Sequence, residues 1–279
     1  MNSTSQLAPP ASCSLNRSNK NVETVVISVR TAVMRRSHIS SMFEGTSLNW
    51  RYFDAHTSLQ HSGLTYDPGE IKRRFGRTLS VSEIAVSSSH VAVLSEFLQH
   101  GTADYVLVLE DDVIFDTDFP LDQLSALCAD NKIDYIRLFG KHYAKAVRIG
   151  FFYDRSIIRY ETSPAGAQAY MMSRNGARLF IENFRSIDTT VDLAMDSFWK
   201  LGMPIYSIFP YPIIERYSPT SIPIPPQTTE LDRMDRAIWN YNRVVAKAKK
   251  IRANLMLGAK DRQMQRESAA FRQIYDGPK

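Results

Sequence analysis

The chain has 279 residues, of which 44% are apolar and 23% are charged, and such proportions are ordinary for a globular protein. This length accommodates one large α/β domain or two small ones. The N-terminal segment lacks the apolar core of a signal peptide and no apolar run is long enough to cross a bilayer, so we expect a cytoplasmic protein. The only cysteines, Cys13 and Cys128, are too few for a cysteine-based zinc site, and we expect no disulfide between them.

The net charge of +5 is concentrated near the C-terminus. From Glu230 onward there are twelve Lys or Arg residues and six acids, a local charge of +6, whereas the remainder carries −1. The segment is patterned as a helix and either packs on the preceding domain with a solvated basic face or is attracted to anionic lipid at the inner face of the cytoplasmic membrane. Nucleic acid is the least favoured partner, because the segment contains no recognised binding motif.

The first third of the chain alternates strand and helix patterns. Residues 1–21 are rich in Ser, Asn and Pro and are predicted to be disordered. A strand over 23–29 precedes Arg30, Arg35 and Arg36, and a helix follows over 34–43. A second strand, 50–54, ends in Asp54, and a polar loop with glycines and Pro68 comes next.

A capping box then predicts the start of a long helix. The Ser80 hydroxyl can accept from the Glu83 amide while the Glu83 carboxylate reaches back. The helix is expected to run to about His100, with its apolar residues at three- to four-residue spacing. Ser89 and His90 lie on it, and His90 is close beside the buried stripe.

The stretch 105–115 has the strongest chemical signal. An apolar run over 105–109 reads as a buried strand and ends in Glu110, Asp111 and Asp112. Side chains alternate along a strand, so Glu110 and Asp112 point one way and Asp111 points the other. Two oxygen ligands on one face suit Mg²⁺ or Mn²⁺. Taken alone, the same residues also fit a solvated acidic turn.

The rest of the pattern continues a mixed α/β fold. In order it predicts helix 121–129, strand 135–139, a hairpin of strands 148–153 and 157–160, strand 166–172, helix 177–184, helix 190–201, and short strands at 205–209 and 213–217. Asp192 and Asp196 lie one turn apart on the last of these helices. Prolines between 204 and 226 predict an extended linker, so we divide the chain into a leader (1–21), a catalytic domain (22–226) and a basic helical extension (227–279).

Several of these elements, in this order, resemble glycosyltransferase family 25, whose members include lipooligosaccharide galactosyltransferases. The matching pieces are the first strand with its arginines, Phe53-Asp54-Ala55, Ser89-His90, Glu110-Asp111-Asp112, Gly166 to Tyr170 with Ser173, and Val191-Asp192. The resemblance covers roughly residues 24–222. Three positions depart from the family pattern: Met34 replaces an acid, Ser82 and Ala85 replace glycines, and Ser28 replaces an Asn.

The resemblance implies a single GT-A-like (Rossmann-like) mixed-sheet domain that transfers a hexose from a nucleotide sugar, with a UDP-sugar favoured, to a lipid-linked core oligosaccharide. It implies Mn²⁺ or Mg²⁺ bound by acids among Glu110, Asp111 and Asp112. It places Asp192 as the base of an inverting reaction, with Asp196 or Asp188 behind it, and His90 near the donor. The residues implied to contact the donor are Ser28, Arg30, Arg36, Asp54, Ser89 and Asp111.

Two other functions fit parts of the pattern. A signalling receiver domain also has a strand that ends in acids and binds Mg²⁺, but it places them on its first strand, whereas about a hundred residues precede them here. A catalytically inactive sugar-binding protein on the same fold is the second alternative, since the family glycines are replaced.

Overall fold

A computed structural model describes residues 22–216 and 231–267. The predicted disordered leader, most of the proline-rich linker and the last residues of the chain lie outside these ranges, as do Cys13 and the predicted end of the last strand at Tyr217. The predicted division into a catalytic domain and a C-terminal extension stays a prediction.

Ten strands are present in the described residues. They are β1 (Val22–Ser28), β2 (Trp50–Asp54), β3 (Tyr105–Glu110), β4 (Val113–Phe115), β5 (Tyr135–Arg137), β6 (Ala146–Phe152), β7 (Arg155–Tyr160), β8 (Ala169–Ser173), β9 (Tyr206–Phe209) and β10 (Ile213–Glu215). Eight form one sheet in the order β2-β1-β3-β8-β5-β9-β7-β6, and β4 and β10 form a separate pair.

The sheet is mixed, and its parallel strands collect several strand ends at one edge. β2, β1 and β3 are parallel to one another. β8 runs antiparallel between β3 and β5, and β9 is parallel to β5. The carboxyl ends of β1, β2 and β3 therefore lie side by side, together with the start of β8. In open α/β sheets this is the edge at which ligands bind.

The eight helices of the described residues are α1 (Val33–Phe43), α2 (Pro68–Phe75), α3 (Val81–His100), α4 (Leu121–Asp130), α5 (Arg174–Asn183), α6 (Val191–Met195), α7 (Phe198–Leu201) and α8 (Arg233–Glu267). Alternate residues of the inner strands are buried on opposite faces of the sheet. Val106 and Val108 pack with the side of α3 and α5, whereas Leu107 and Leu109 pack with the side of α1 and α4. This confirms a Rossmann-like α/β domain with helices on both faces.

The polar loop predicted after β2 is wrong in part, because it contains helix α2. The Asp67 carboxylate accepts from the amides of Gly69 and Glu70, and Pro68 occupies the first turn, where its missing N–H costs nothing. Gly76 ends the helix with a φ of 88°, in the left-handed region that glycine adopts most readily. Pro68 and Gly69, which suggested a loop, thus lie in the first turn of a short helix.

Two further helix predictions have different outcomes. The capping box of α3 is confirmed, with Ser80 and Glu83 exchanging both hydrogen bonds. The single helix predicted over 190–201 is wrong: it is divided into α6 and α7 by Asp196 and Ser197. The break accompanies burial of the Asp196 side chain, which reaches inward to an arginine of the sheet.

The C-terminal helix α8 packs on the domain through polar as well as apolar contacts. Arg159 of β7 donates to Asp261 over 2.7 Å, and both side chains are buried. Asn254 donates to the carbonyl oxygen of Glu161. Trp239 lies against Gly76, where a Cβ atom would approach the indole ring to 3.0 Å. Within the described ranges, no helix is both long and apolar enough to span a bilayer.

Candidate active site

Ser28, Asp54 and Glu110 are the last residues of the adjacent parallel strands β1, β2 and β3. Ser28 is in register with Asp54, and Ile27 is in register with Glu110. The apolar residues of β1 and β3 are buried up to these positions, and the polar side chains come at the strand ends. The sheet therefore places the predicted donor residues of the first two strands beside the acids of the third.

Asp111 is held in place by residues of β1 and α1. It is buried, with 6% of its surface exposed, and accepts from the Ser28 hydroxyl over 2.7 Å and from Arg35 Nη1 over 3.0 Å. Its side chain thus turns back toward the sheet, the direction that alternation along the strand predicts. Its charge is offset by Arg35 at the site itself.

Arg36 connects the ends of β1 and β2. Its guanidinium donates to the Ser28 carbonyl oxygen over 2.8 Å and to the Asp54 carboxylate, and it lies over the Tyr52 ring. This hydrogen bond from Arg36 keeps the pKa of the exposed Asp54 below its usual value. Arg30 is largely exposed and lies 3.8 Å from Asp54. The structure therefore brings Ser28, Arg30, Arg36 and Asp54 together.

Asp112 carries the most perturbed carboxylate at this edge. Burial, reinforced by the nearby charges of Glu110 and Asp111, raises its pKa to about 7. Its Oδ1 atom is buried and has no hydrogen-bond partner among the described residues. Glu215 of β10 adds to the negative charge around it. A buried carboxylate oxygen without a partner is costly unless a cation or donor group satisfies it.

His90 and Ser89 occupy different places around the edge. His90 is fully buried, bonds the Tyr170 hydroxyl through Nδ1 at 3.1 Å, and has its Nε2 atom 3.6 Å from Glu110. It lies behind Glu110, and its buried Nε2 atom has no hydrogen-bond partner among the described residues. Ser89 instead accepts from the amide of His56 over 2.9 Å, so it holds the loop after β2 and does not face the acids.

The acids fit a divalent cation that is shared with a substrate. In residues 22–216 and 231–267, no three His, Cys, Asp or Glu side chains converge into a ready-made cage. Mg²⁺ sites in phosphate-transfer enzymes, however, use only one or two carboxylates and complete their coordination with phosphate oxygens and water. Glu110 and Asp112, with the unpartnered Oδ1 atom, match such a half-site.

We call the carboxyl end of β3, with Glu110, Asp111 and Asp112, the acidic edge. Asp192 is linked to this acidic edge by the loop that precedes β8. Its Oδ2 atom accepts from the amide of Gly166 over 2.8 Å, and its Oδ1 atom accepts from the amide of Leu193. Two residues further along the loop, the carbonyl oxygen of Gln168 accepts from the amide of Glu110 over 2.8 Å. Asp192 is half-buried, and within the described chain it has no cationic side chain in salt-bridge range.

The two alternative base candidates are already engaged by cations. Asp196 is 1% exposed, binds Arg137 at 2.5 Å and accepts from the Ser163 hydroxyl. Asp188 accepts from both Arg74 and Lys200. Asp196 and Asp192 therefore do not share one exposed face, because the helix that the sequence suggested is broken between them.

The sequence alone did not identify three residues of this site. Arg35 was noted only as one of several arginines, although it contacts Asp111. Gln168 was inside a recognised motif, and its Oε1 atom is buried without a partner among the described residues. Glu215 comes from the proline-rich segment and reaches the site because β10 pairs with β4 directly after Asp112. Nothing in the local pattern around Glu215 indicates that contact.

Comparison with known proteins gives a family match over residues 21–195, to the family described as "Glycosyltransferase family 25 (LPS biosynthesis protein)". Curated relatives include the lacto-N-neotetraose biosynthesis glycosyltransferases LgtE of Neisseria meningitidis serogroup B and LgtE of Neisseria gonorrhoeae. They are 28% and 27% identical over 202 residues, which are 66% of this chain and 71% of each relative. LgtB of the same N. meningitidis strain is 26% identical and is covered over 72% of its length.

Among solved structures, the crystal structure of A197 from STIV matches with a TM-score of 0.37 and 11% identity, over 73% of this chain and 98% of that one. This likeness is too low to inform function. The family match, in contrast, covers more than half of the chain and includes the acids at the end of β3. It rules out the receiver-domain alternative and identifies an enzyme of the transferase class. The chain belongs to glycosyltransferase family 25.

Proposed function

We propose that this protein transfers a hexose from a nucleotide sugar, with a UDP-sugar favoured, to a core saccharide of lipopolysaccharide or lipooligosaccharide. The transfer uses Mn²⁺ or Mg²⁺ and inverts the anomeric centre. One observation carries the metal requirement: next to Glu110, at the sheet edge where ligands bind, Asp112 has a buried carboxylate oxygen with no partner among the described residues. The similarity to LgtE and LgtB, which are named as lacto-N-neotetraose biosynthesis glycosyltransferases, supports a saccharide acceptor.

Each group at the edge has a role in binding the donor. Glu110 and Asp112 would hold the cation, which when bound neutralises charge on the leaving nucleoside diphosphate. Arg36 presents a planar guanidinium that suits phosphate oxygens, although Asp54 already uses part of it. Ser28 and Arg35 keep Asp111 turned away from Asp112, which limits the repulsion between adjacent carboxylates.

Asp192 is the proposed general base. In an inverting transfer the acceptor hydroxyl oxygen bonds to the anomeric carbon of the donor while the bond to the diphosphate oxygen breaks. The hydroxyl proton passes to a carboxylate, and the nucleoside diphosphate leaves with the electron pair of the broken bond. Asp192 suits this role better than Asp188 or Asp196, because only those two are neutralised by cations within the described residues.

Replacing Asp192 tests this assignment. We expect Asp192→Asn to lower kcat for transfer about a hundredfold, since general-base catalysis contributes at least that much, and to leave KM for the donor nearly unchanged. Transfer is measured with purified protein, Mn²⁺ and a panel of UDP- and GDP-sugars. Asp122→Asn is the matched control and should retain activity, because Asp122 also lies in the first turn of a helix but is exposed. A large loss in Asp188→Asn together with an active Asp192→Asn would move the base to Asp188.

We also propose that α8 attaches the enzyme to an anionic membrane surface. Its solvent side carries an outer stripe of exposed apolar residues, namely Met234, Tyr241, Val244, Ile251 and Leu255. They recur at helical spacing along one face. From residue 236 to residue 260 the helix has basic residues but no acid. An apolar stripe with basic flanks is typical of helices that lie in the membrane interface.

Replacing single exposed apolar residues by glutamate distinguishes membrane attachment of α8 from its packing on the rest of the protein. We expect Val244→Glu to weaken binding to vesicles that contain phosphatidylglycerol by about tenfold, because it removes apolar burial and adds repulsion. Val81→Glu is the matched control: Val81 is also on a helix and is 66% exposed, against 67% for Val244. Deleting α8 is a poorer test, since it would uncover buried Arg159. Unaltered vesicle binding by Val244→Glu would refute the attachment.

A further inference from the structure

A cavity of about 640 Å³ lies between α8 and the helices α5, α6 and α7. It is separate from the acidic edge, because neither Glu110 nor Asp112 lines it. Five basic side chains and two acidic side chains line the cavity. The basic residues are Arg74, Lys200, Arg243, Lys249 and Lys250, and the acids are Asp188 and Asp196.

The charges in this cavity do not balance. Asp188 is shared by Arg74 and Lys200, at 3.2 Å and 2.8 Å. Asp196 is bound by Arg137, which does not line the cavity. Both acids are thus already matched by cations, and the remaining basic residues on α8 add positive charge.

The three remaining cations are Arg243, Lys249 and Lys250, and none forms a salt bridge with a carboxylate in the described part of the chain. Arg243 lies over the Trp239 ring, and the Lys250 ammonium is 4.4 Å from the centre of the Trp199 ring. Burial lowers the pKa of Lys250, although the charge of Asp196 opposes this shift. An anion that entered the cavity would supply the missing counter-charge.

The cavity and the acidic edge share one wall. Ser163 lines the cavity and donates to Asp196, while three residues later Gly166 donates to the proposed base Asp192. α6 contributes to both places, since Leu193 lines the cavity next to Asp192. A ligand that extends around this loop and α6 could therefore contact both regions.

We infer that this cavity binds an anionic group, a phosphate or carboxylate, carried by the saccharide acceptor. Arg243 offers a planar fork for two oxygens, and the two lysines offer mobile point charges. Trp199, which lines the cavity, adds aromatic surface against which a sugar ring can pack. The identity of the ligand as the acceptor rests on the proposed function, whereas the anion site itself rests on the charges and the cavity.

Tryptophan fluorescence can follow binding directly, because two of the three tryptophans lie under cavity cations. We expect glucose 6-phosphate to give a saturable change and unphosphorylated glucose to give none. Lys249→Gln and Lys250→Gln should each weaken the binding of glucose 6-phosphate about tenfold, the usual effect of losing one charge-assisted contact. The matched control is Lys247→Gln, on the same helix but outside the cavity, and it should bind as the unaltered protein does.

Two results would overturn the inference. One is the absence of saturable binding of glucose 6-phosphate by the unaltered protein. The other is binding that survives in Lys249→Gln and Lys250→Gln but is lost in Arg36→Gln, which would place the phosphate at the donor edge. These measurements need no turnover. A failure of the proposed transfer reaction would therefore show separately, as missing hydrolysis of nucleotide sugars by a protein that still binds the sugar phosphate.

Discussion

Asp112→Asn is expected to lower metal-dependent hydrolysis and transfer of the nucleotide sugar about a thousandfold. Removing a group that stabilises charge in a transition state commonly has an effect of this size. The substitution keeps the shape of the side chain but removes the charge that would hold the cation beside Glu110. The measurement is the rate of release of the nucleoside diphosphate at saturating Mn²⁺, together with the Mn²⁺ concentration needed for half of the maximal rate.

The same substitution should stabilise the folded protein in the absence of metal. Since the folded-state pKa of Asp112, about 7, is above its ordinary value of 3.8, ionisation of this group opposes folding. Between those pH values the unfolded state loses its proton first, so folding stability falls as pH rises, and the loss is complete above about pH 7. With EDTA at pH 8 we expect Asp112→Asn to raise the free energy of unfolding by on the order of 2 kcal/mol.

Asp118→Asn is the matched control for both measurements. It makes the same change of charge in an exposed residue of the same region, and it should alter neither the rate nor the stability appreciably. An Asp112→Asn protein that turns over normally would remove the metal half-site from the mechanism. A protein that loses both activity and stability would instead indicate that Asp112 has a structural role.

Asp196→Ala should be among the most destabilising single changes at this end of the sheet, lowering the free energy of unfolding by about 3–5 kcal/mol. Asp196 and Arg137 are both about 1% exposed and are joined at 2.5 Å. Without the carboxylate, the Arg137 guanidinium would remain buried with only the Phe139 and Ala165 carbonyl oxygens and the Tyr135 hydroxyl around it. Breaking one partner of a buried pair costs far more than the pair itself contributes. Urea denaturation measures the loss.

Asp116→Ala provides the comparison. Asp116 also pairs with an arginine, Arg155, at 2.6 Å, but the Asp116 side chain is 41% exposed. Exposed pairs contribute about 0–1 kcal/mol, so the free energy of unfolding of this variant should be close to that of the unaltered protein. Equal stabilities of Asp196→Ala and Asp116→Ala would contradict the buried ion pair. Asp192→Asn should differ from Asp196→Ala, because it lowers activity while the free energy of unfolding changes little.

The local pattern of the chain was sufficient for the elements that build the acidic edge. A buried apolar run followed by three acids predicted β3 and its end, and the Ser80–Glu83 capping box predicted the start of α3. Both depend on interactions between residues close in sequence. The alternation of side chains along a strand also predicted that Asp111 would turn away from Glu110 and Asp112, because this period of two is a local property.

Predictions failed where a local signal had two structural meanings. Pro68 and Gly69 occur in turns but also in the first turn of a helix. Here Asp67 and Gly76 cap that helix, and packing of α2 against α8 stabilises it. Asp192 and Asp196 have helical spacing, yet burial of Asp196 against Arg137 ends the helix after one turn and a half. In both cases a long-range contact outweighed the propensity of a short segment.

The sequence by itself determined most strands of the large sheet, the long helix α3, the acids at the end of β3 and the basic character of α8, since these follow from residue types and their spacing. Only the tertiary structure decided which acids are available. It pairs Asp111 with Ser28 and Arg35, pairs Asp196 with Arg137, and brings Glu215 to the edge. It leaves one oxygen of Asp112 without a partner in the part of the chain that the structure describes. The physical reason is that the availability of a carboxylate depends on burial and on partners far away in the chain, which no local pattern specifies.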